Sequence, residues 1–255
     1  LGFDETSVPP LPLDAEQLTG RARTHVIELP EPCGTLHPAA ADALVAMRAA
    51  AAAAGIDLAV VSSFRDFQRQ CAIWNAKFRG ERALLDRRGR PLDVAALDHE
   101  TRIDSILMWS ALPGASRHHW GSDIDVIDRA ALPPGYRYEL VPEEFAPDGV
   151  FAALGAWLGA HLPRFGFYRP YATDRGGVQP EPWHLSFAPV SEPALAGLTP
   201  QVLRSAIAAS AIEGRDAVLG RLDALHARYV TAVDRAPPQA LAYASSAIRS
   251  RTRPS

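Results

Sequence analysis

The sequence predicts an α+β domain: a small, mainly antiparallel sheet packed against helices, with a helical extension at the C-terminal end. Three observations point there. Residues 38–54 are nearly all helix formers. Residues 123–127 alternate Asp123, Asp125 and Ile127 with Ile124 and Val126, the period-two signature of a strand. Short apolar runs at 56–62, 165–168 and 183–188 supply further strands.

Taken in order, residues 1–35 are rich in proline and acid (Pro9, Pro10, Pro12, Pro30, Pro32), which favours an extended arm over a helix. The first helix starts at Pro38, a first-turn proline, and stops at Gly55. A buried strand over 56–62 follows. Phe67, Cys71, Trp74 and Phe78 then recur at spacings of four, three and four, one apolar face of a helix over 64–78. Residues 80–98, broken by Gly89 and Pro91, read as a loop able to overhang a cleft, and a helix over 100–111 ends before Pro113-Gly114. A strand over 136–141, a helix over 149–162 and strands flanking Gly176-Gly177 complete a body over 36–190. Thr199-Pro200 is a cap-plus-proline start, from which two helices run to about Val233 in an extension over 191–235. Residues 236–255, with Arg249, Arg251 and Arg253, read as a frayed tail.

Hydrophobic residues make up 47% of the 255, enough for a sizeable core. With 29 acidic against 26 basic residues the net charge is -3, so no basic excess points to nucleic acid. Only one basic residue is a lysine, Lys77. Arg48 and Asp57 interrupt the alanine-rich stretch, so no membrane span is expected. The chain opens on Leu1, as a processed or trimmed product would. Cys33 and Cys71 are too few for a disulfide framework, and a single bridge between them would require an oxidising compartment. Oligomeric state is not legible.

The chemistry concentrates in two segments, Ser116-Arg117-His118-His119-Trp120-Gly121-Ser122-Asp123-Ile124-Asp125 and Glu181-Pro182-Trp183-His184. A catalytic zinc takes three protein ligands from His, Asp or Glu and keeps one position open for water. His118, Asp125 and His184 would be the ligands, leaving Glu181 free to take and return a proton. His119 with Asp123 is a rival pair that spacing alone does not exclude. Pro182 keeps Glu181 and His184 on extended backbone, which excludes a helical H-E-x-x-H site. His25, His37, His99, His161 and His226 stand alone.

Ser116-x-His118-x-x-Gly121-x-x-x-Asp125 followed by Glu181-x-Trp183-His184 resembles the VanY-type D-alanyl-D-alanine carboxypeptidases, relatives of the D-Ala-D-Ala dipeptidases and, more distantly, of the hedgehog zinc domain. Residues 62–70, Ser62-Ser63-Phe64-Arg65-Asp66-Phe67-Gln68-Arg69-Gln70, are similar to that family's S-G-Y-R-S-x-x-x-Q segment, and Pro113-Gly114, Trp157-Leu158 and Phe165-Gly166-Phe167 fall in the family's order. The resemblance implies that His118, Asp125 and His184 hold one zinc ion, ahead of His119. It implies that Glu181 is the catalytic acid/base, that Arg65 contacts the substrate carbonyl, and that Ser116 and Gln70 line the substrate pocket. It also implies peptidoglycan stem peptides as substrate, removal of a terminal D-alanine as reaction, and periplasmic or cell-surface residence.

The chain departs from the family at Asp123, usually a small residue there, and at His119 and Trp120. Asp123 shares a strand face with Asp125, where a carboxylate could steady a ligand histidine. An endopeptidase with an open groove and a non-catalytic zinc-stabilised binding module are the alternatives. Arg117, Arg169 and the 80–98 loop are candidates for closing the pocket end around a terminal carboxylate.

Overall fold

The structure, a computed structural model, describes residues 12–243. The sequence readings at Pro9, Pro10, Arg249, Arg251 and Arg253 lie outside those residues. The proline-rich start is not wholly extended: Asp14 and Gln17 cap one another across a single turn, α1 (Ala15–Leu18), which drives Leu18 into the core. A short hairpin of β1 (Ile27–Glu28) and β2 (Thr35–Leu36) follows.

Helix α2 (Pro38–Ala53) begins and ends where proline and Gly55 place it, with Gly55 at φ 80°. Strand β3 (Leu58–Ser62) leads into α3 (Phe67–Phe78). That helix starts three residues later than its periodicity suggests. Phe64 and Arg65 stay extended because their N–H groups donate to Thr35 and His118 carbonyls (3.0 and 3.2 Å), and Asp66 then caps the first turn. Next come α4 (His99–Leu107), β4 (Asp123–Asp128), α5 (Ala152–His161), β5 (Phe167–Tyr168) and β6 (His184–Phe187).

The main sheet runs β3-β4-β6-β5 and every pair in it is antiparallel. Asp125 faces His184, and Asp123 faces Ser186. Side chains alternate across a strand, so Ile124, Val126, Leu185 and Phe187 enter one core with Leu44 and Met47 of α2 and Leu154 and Leu158 of α5. The opposite face of these two strands carries Asp123, Asp125, His184 and Ser186, all buried.

A second core closes over that polar face from outside the sheet. It joins Phe67, Cys71, Trp74 and Phe78 of α3 with Ile103 and Ile106 of α4 and with the C-terminal helices. Those are α6 (Ala188–Gly197), α7 (Pro200–Ala208), α8 (Arg215–Gly220) and α9 (Leu222–Leu225), which runs on as a wider turn through Val230; α10 (Pro238–Leu241) packs apart from this core, its Ala240 against Tyr168 and Ala188. Cys71 lies in this core and Cys33 in the other, both as free thiols.

Three local expectations are corrected. Residues 136–141 form no strand: the Glu144 carboxylate accepts the N–H groups of Glu139, Leu140 and Val141, taking the donors a neighbouring strand would need. The strand expected over 183–188 ends at Phe187, and Ala188 instead starts α6, which holds Pro189 in its first turn and Pro193 inside it. The stretch after Thr199 divides into more than two helices, with Gly214 in a left-handed conformation before α8.

Trp74 is fully buried and its Nε1 donates to the Glu213 carbonyl (3.0 Å), tying α3 to the chain after α7. Trp74→Ala is expected to cost about 3–5 kcal/mol in urea unfolding, through the cavity and the lost hydrogen bond. A change below about 1 kcal/mol would contradict this packing.

Candidate metal centre

His118 lies on the turn Arg117–Trp120, which Gly121 closes at φ 66°. A Cβ at Gly121 would come within 2.5 Å of Val26 and 2.8 Å of the His37 backbone nitrogen, so both the dihedral and the space require glycine. Asp125 and His184 are brought opposite one another by the β4–β6 register. His118 Nε2 is 3.4 Å from Asp125 Oδ2 and His184 Nδ1 is 3.1 Å from Asp125 Oδ1, while the two imidazoles meet edge-on at 5.0 Å.

His118, Asp125 and His184 each offer a ligand atom within 4.8 Å of the others. The edge of a tetrahedron with arms of about 2.1 Å is about 3.4 Å, so the spacing suits one small divalent ion. Asp125 Oδ1 is buried and makes no aligned hydrogen bond despite the nearby ring nitrogen. Such an orphaned oxygen suits a cation better than a neutral neighbour.

Asp123 completes the frame. Its Oδ1 accepts from His184 Nε2 (3.0 Å) and Arg117 Nε (2.8 Å), and Ser122 Oγ donates to Oδ2. This bond turns Nε2 toward Asp123 and leaves Nδ1 as the nitrogen that faces Asp125. Arg117 is held in turn by Tyr168 Oη (3.0 Å) and Ser186 Oγ (2.6 Å), with its guanidinium over the Trp120 ring. Burial alone would raise Asp123 and Asp125, but Arg117 and the histidines hold both carboxyls well below the usual range. Burial opposes charge on His184, yet the two carboxylates outweigh it and raise the imidazole to about 10. The cluster therefore demands positive charge where the three ligand atoms converge.

Glu181 stands beside this centre, its Oε2 3.5 Å from His184 Nδ1. Burial pushes its carboxyl up to about 7, with Asp125 adding to the rise and His184, Lys77 and Arg65 opposing it. A carboxyl poised there can both accept and donate a proton near neutrality.

Arg65 emerges just past β3 and lines the same cleft. Its Nη1 donates to Gln70 Oε1 (2.9 Å) and its Nη2 to Ser62 Oγ (3.1 Å). Gln70 does not line the cleft as the sequence suggested; it is fully buried, bonded to the Ala111 carbonyl (2.7 Å), and orients Arg65. His119 is likewise no partner of the cluster. Its Nδ1 donates to the Arg65 carbonyl and its Nε2 accepts from Gly114 N (3.2 Å), while burial lowers its pKa to about 3. The solitary histidines also lie elsewhere: His37 caps α2, and His161 and His226 bond to the Trp157 and Leu198 carbonyls.

Residues 34–190 match the family model for VanY, D-alanyl-D-alanine carboxypeptidase. The chain belongs to the VanY family. Two uncharacterized proteins of Haemophilus influenzae are similar: one is 34% identical over 121 residues, covering 47% of this chain and 92% of the relative, the other 44% identical over 103 residues, covering 39% and 70%. Similar solved structures include VanYB in complex with D-alanine-D-alanine (21% identity, TM-score 0.47, 68% of this chain and 82% of that one). Another is a VanY D,D-pentapeptidase mutant in complex with Zn(II) (21%, 0.48, 75% and 93%). A third is the LdcB LD-carboxypeptidase (22%, 0.47, 70% and 74%).

Within this VanY chain the cleft has a volume of about 790 Å³ and is lined by Ser116, Arg117, Tyr171 and the loop residues Arg87, Arg88 and Pro91. The overhang expected of residues 80–98 is thus present. Arg169 is outside it, bonded to the Gly155 carbonyl (3.2 Å). Two lining residues were not singled out as site residues in the sequence. Tyr171 packs its ring 5.0 Å from that of His184, and its carbonyl accepts from Glu181 N (2.9 Å). Lys77 projects from the flank of α3; burial pushes it down to about 8 although Glu181 attracts it. The sole lysine of an arginine-rich chain was a signal, but nothing in its spacing tied it to the acids.

Arg117 and Asp123 are both almost fully buried, at 3% and 0% exposure. Asp123→Ala is expected to destabilise the protein by about 3–5 kcal/mol in urea unfolding, since it strands a buried guanidinium. A loss below about 1 kcal/mol would contradict this role.

Proposed function

We propose that this chain is a zinc peptidase that hydrolyses peptide bonds in peptidoglycan stem peptides, with removal of a terminal D-alanine as its reaction. The convergence of His118, Asp125 and His184 beside a free, raised Glu181 carries the reading. The residues suit zinc: two imidazole nitrogens and one carboxylate oxygen, with a further carboxylate fixing one imidazole, form the open kind of site that catalytic zinc uses. The chemistry that zinc supplies when bound is acidification of a water to a pKa of about 7 and polarisation of the scissile carbonyl.

The chain's own groups do the rest. Glu181 accepts the proton of the attacking water through its carboxylate and delivers it to the departing amine nitrogen. Arg65, splayed between Gln70 and Ser62, presents charge-assisted donors to the oxygen that becomes negative as water adds to the carbonyl. His119 grips the Arg65 carbonyl and so steadies the same residue from the backbone side. Asp123 holds the His184 ring against rotation. The buried rings of Tyr171 and Trp183 line the cleft and lower the local polarity, which strengthens each of these interactions.

A carboxypeptidase must also meet a terminal carboxylate. Arg117 lines the cleft but commits Nε and Nη2 to Asp123, Tyr168 and Ser186, with only a buried Nη1 left over, and Arg169 is outside the cleft; we assign that carboxylate to Ser116 and Lys77, which line the cleft. One observation favours an endopeptidase as the second reading: the cleft does not end at the metal centre but opens beyond Arg65 into further space. Either substrate lies in the cell wall, so periplasmic or cell-surface residence goes with the proposal.

Glu181→Ala is expected to retain one zinc per chain by elemental analysis while hydrolysis of purified muropeptides, followed by mass spectrometry, falls by at least about 10²-fold. His118→Ala should lose the zinc. Undiminished turnover in Glu181→Ala would sink the mechanism, and the masses released from pentapeptide and cross-linked substrates distinguish the two readings.

A further inference from the structure

A second cavity of about 870 Å³ meets the first at Arg65, Asp125 and Leu140, so the cleft has two arms with the metal centre between them. Glu181 lines the first arm and is absent from the second. Because Glu181 hands its proton to the departing amine, the first arm takes the leaving group. The second, reached past the Arg65 guanidinium, takes the acyl side of the peptide.

The wall of that second arm is the outer flank of α3 and the residues just beyond it: Arg69, Ala72, Ile73 and Arg82. Among the described residues, the side chains of Arg69 and Arg82 make no hydrogen bond or ion pair. Most neighbouring arginines differ: Arg79 pairs with Glu81, Arg87 with Asp174 and Arg90 with Asp86, while Arg102 bonds to backbone carbonyls; Arg88, on the wall of the first arm, is the exception. Arg69 and Arg82 lie close enough to Arg65 to disfavour its charge. Among the described residues lining this arm, Glu31 is the only acid besides Asp125. Like charges gathered at one wall repel. An anion entering the arm would relieve that repulsion.

We propose that Arg69 and Arg82 bind a carboxylate of the substrate on the acyl side of the bond that is cut, so that the protein selects acidic peptides. This deepens the peptidase reading and rests on it for the direction of the peptide. Arg69 reaches into the arm from the first turn of α3 and Arg82 from beyond its end, so together they span a length of groove. Arginine suits the task because its planar fork meets a carboxylate through two donors.

The test uses two synthetic pentapeptides ending in D-alanyl-D-alanine that differ in one group, an upstream acidic residue present as free acid or as primary amide. They are compared on the zinc-loaded wild type, on Arg69→Gln/Arg82→Gln and Arg69→Glu/Arg82→Glu, and on Arg23→Glu, a surface charge reversal away from the cleft. Wild type and Arg23→Glu are expected to favour the acid by about tenfold in kcat/KM, the Gln pair to lose the preference and the Glu pair to reverse it. Equal rates on wild type, or a preference that survives in both double variants, would overturn the proposal while leaving the peptidase reading intact. If wild type cuts neither peptide, the peptidase reading fails separately. Calorimetric titration of the two peptides into the same proteins then decides: tighter binding of the acid by wild type and Arg23→Glu but by neither double variant supports the arginine site, and equal affinities on wild type refute it.

Discussion

The antiparallel pairing of β4 with β6 is the constraint on which the rest depends. It sets Asp125 across from His184 and Asp123 across from Ser186, all on one face, while Ile124, Val126, Leu185 and Phe187 lock the other face into the α2–α5 core. A slip of one residue would turn the carboxylates into that apolar core and the isoleucine and valine into the cleft. The hydrophobic face thus enforces the register, and the register builds the ligand set. His118 joins from the Gly121-closed turn that feeds β4, which leaves only the loop before β6 to deliver Glu181.

Concentrating three carboxylates and two imidazoles in a buried site is costly unless charge is balanced locally. Arg117 supplies one balancing cation and is gripped on several sides, which makes Asp123 a permanent anion and a fixed acceptor for His184. Asp125 keeps an oxygen without an aligned donor, so its compensation must come from the centre itself. The division of labour is electrostatic: Asp123 steadies His184, Asp125 two residues on faces the two imidazoles, and Glu181 stays protonatable because burial, not a cation, dominates it.

Much of this was legible in the residues. The helix from Pro38 to Gly55, the apolar face of α3 and the alternation of β4 follow from local patterns, and tertiary packing did not override them. The convergence of His118, Asp125 and His184 was legible because residues of the right chemistry flank a glycine and a proline that dictate backbone shape. What local patterns missed depends on distant partners. Residues 136–141 alternate like a strand, but Glu144 captures their donors. Gln70 falls in a substrate-lining position by resemblance, yet its amide is taken by Arg65 and Ala111. His119 looks like a ligand until the Arg65 carbonyl and Gly114 are seen to occupy both its nitrogens. Helices α7 to α9 lie outside the matched family region and share a core with α3; no motif announced that Leu225, Tyr229 and Val230 help to wall the cleft.

The central claim is that one divalent ion is held by nitrogen, oxygen and nitrogen from His118, Asp125 and His184. Zinc-edge X-ray absorption of the purified, stoichiometrically loaded protein tests it most directly. The account predicts a shell of nitrogen and oxygen neighbours at about 2.0–2.1 Å, the multiple-scattering pattern of two imidazoles, and no sulfur at about 2.3 Å. A sulfur neighbour, or a shell with no imidazole, would place the ion elsewhere and contradict the account.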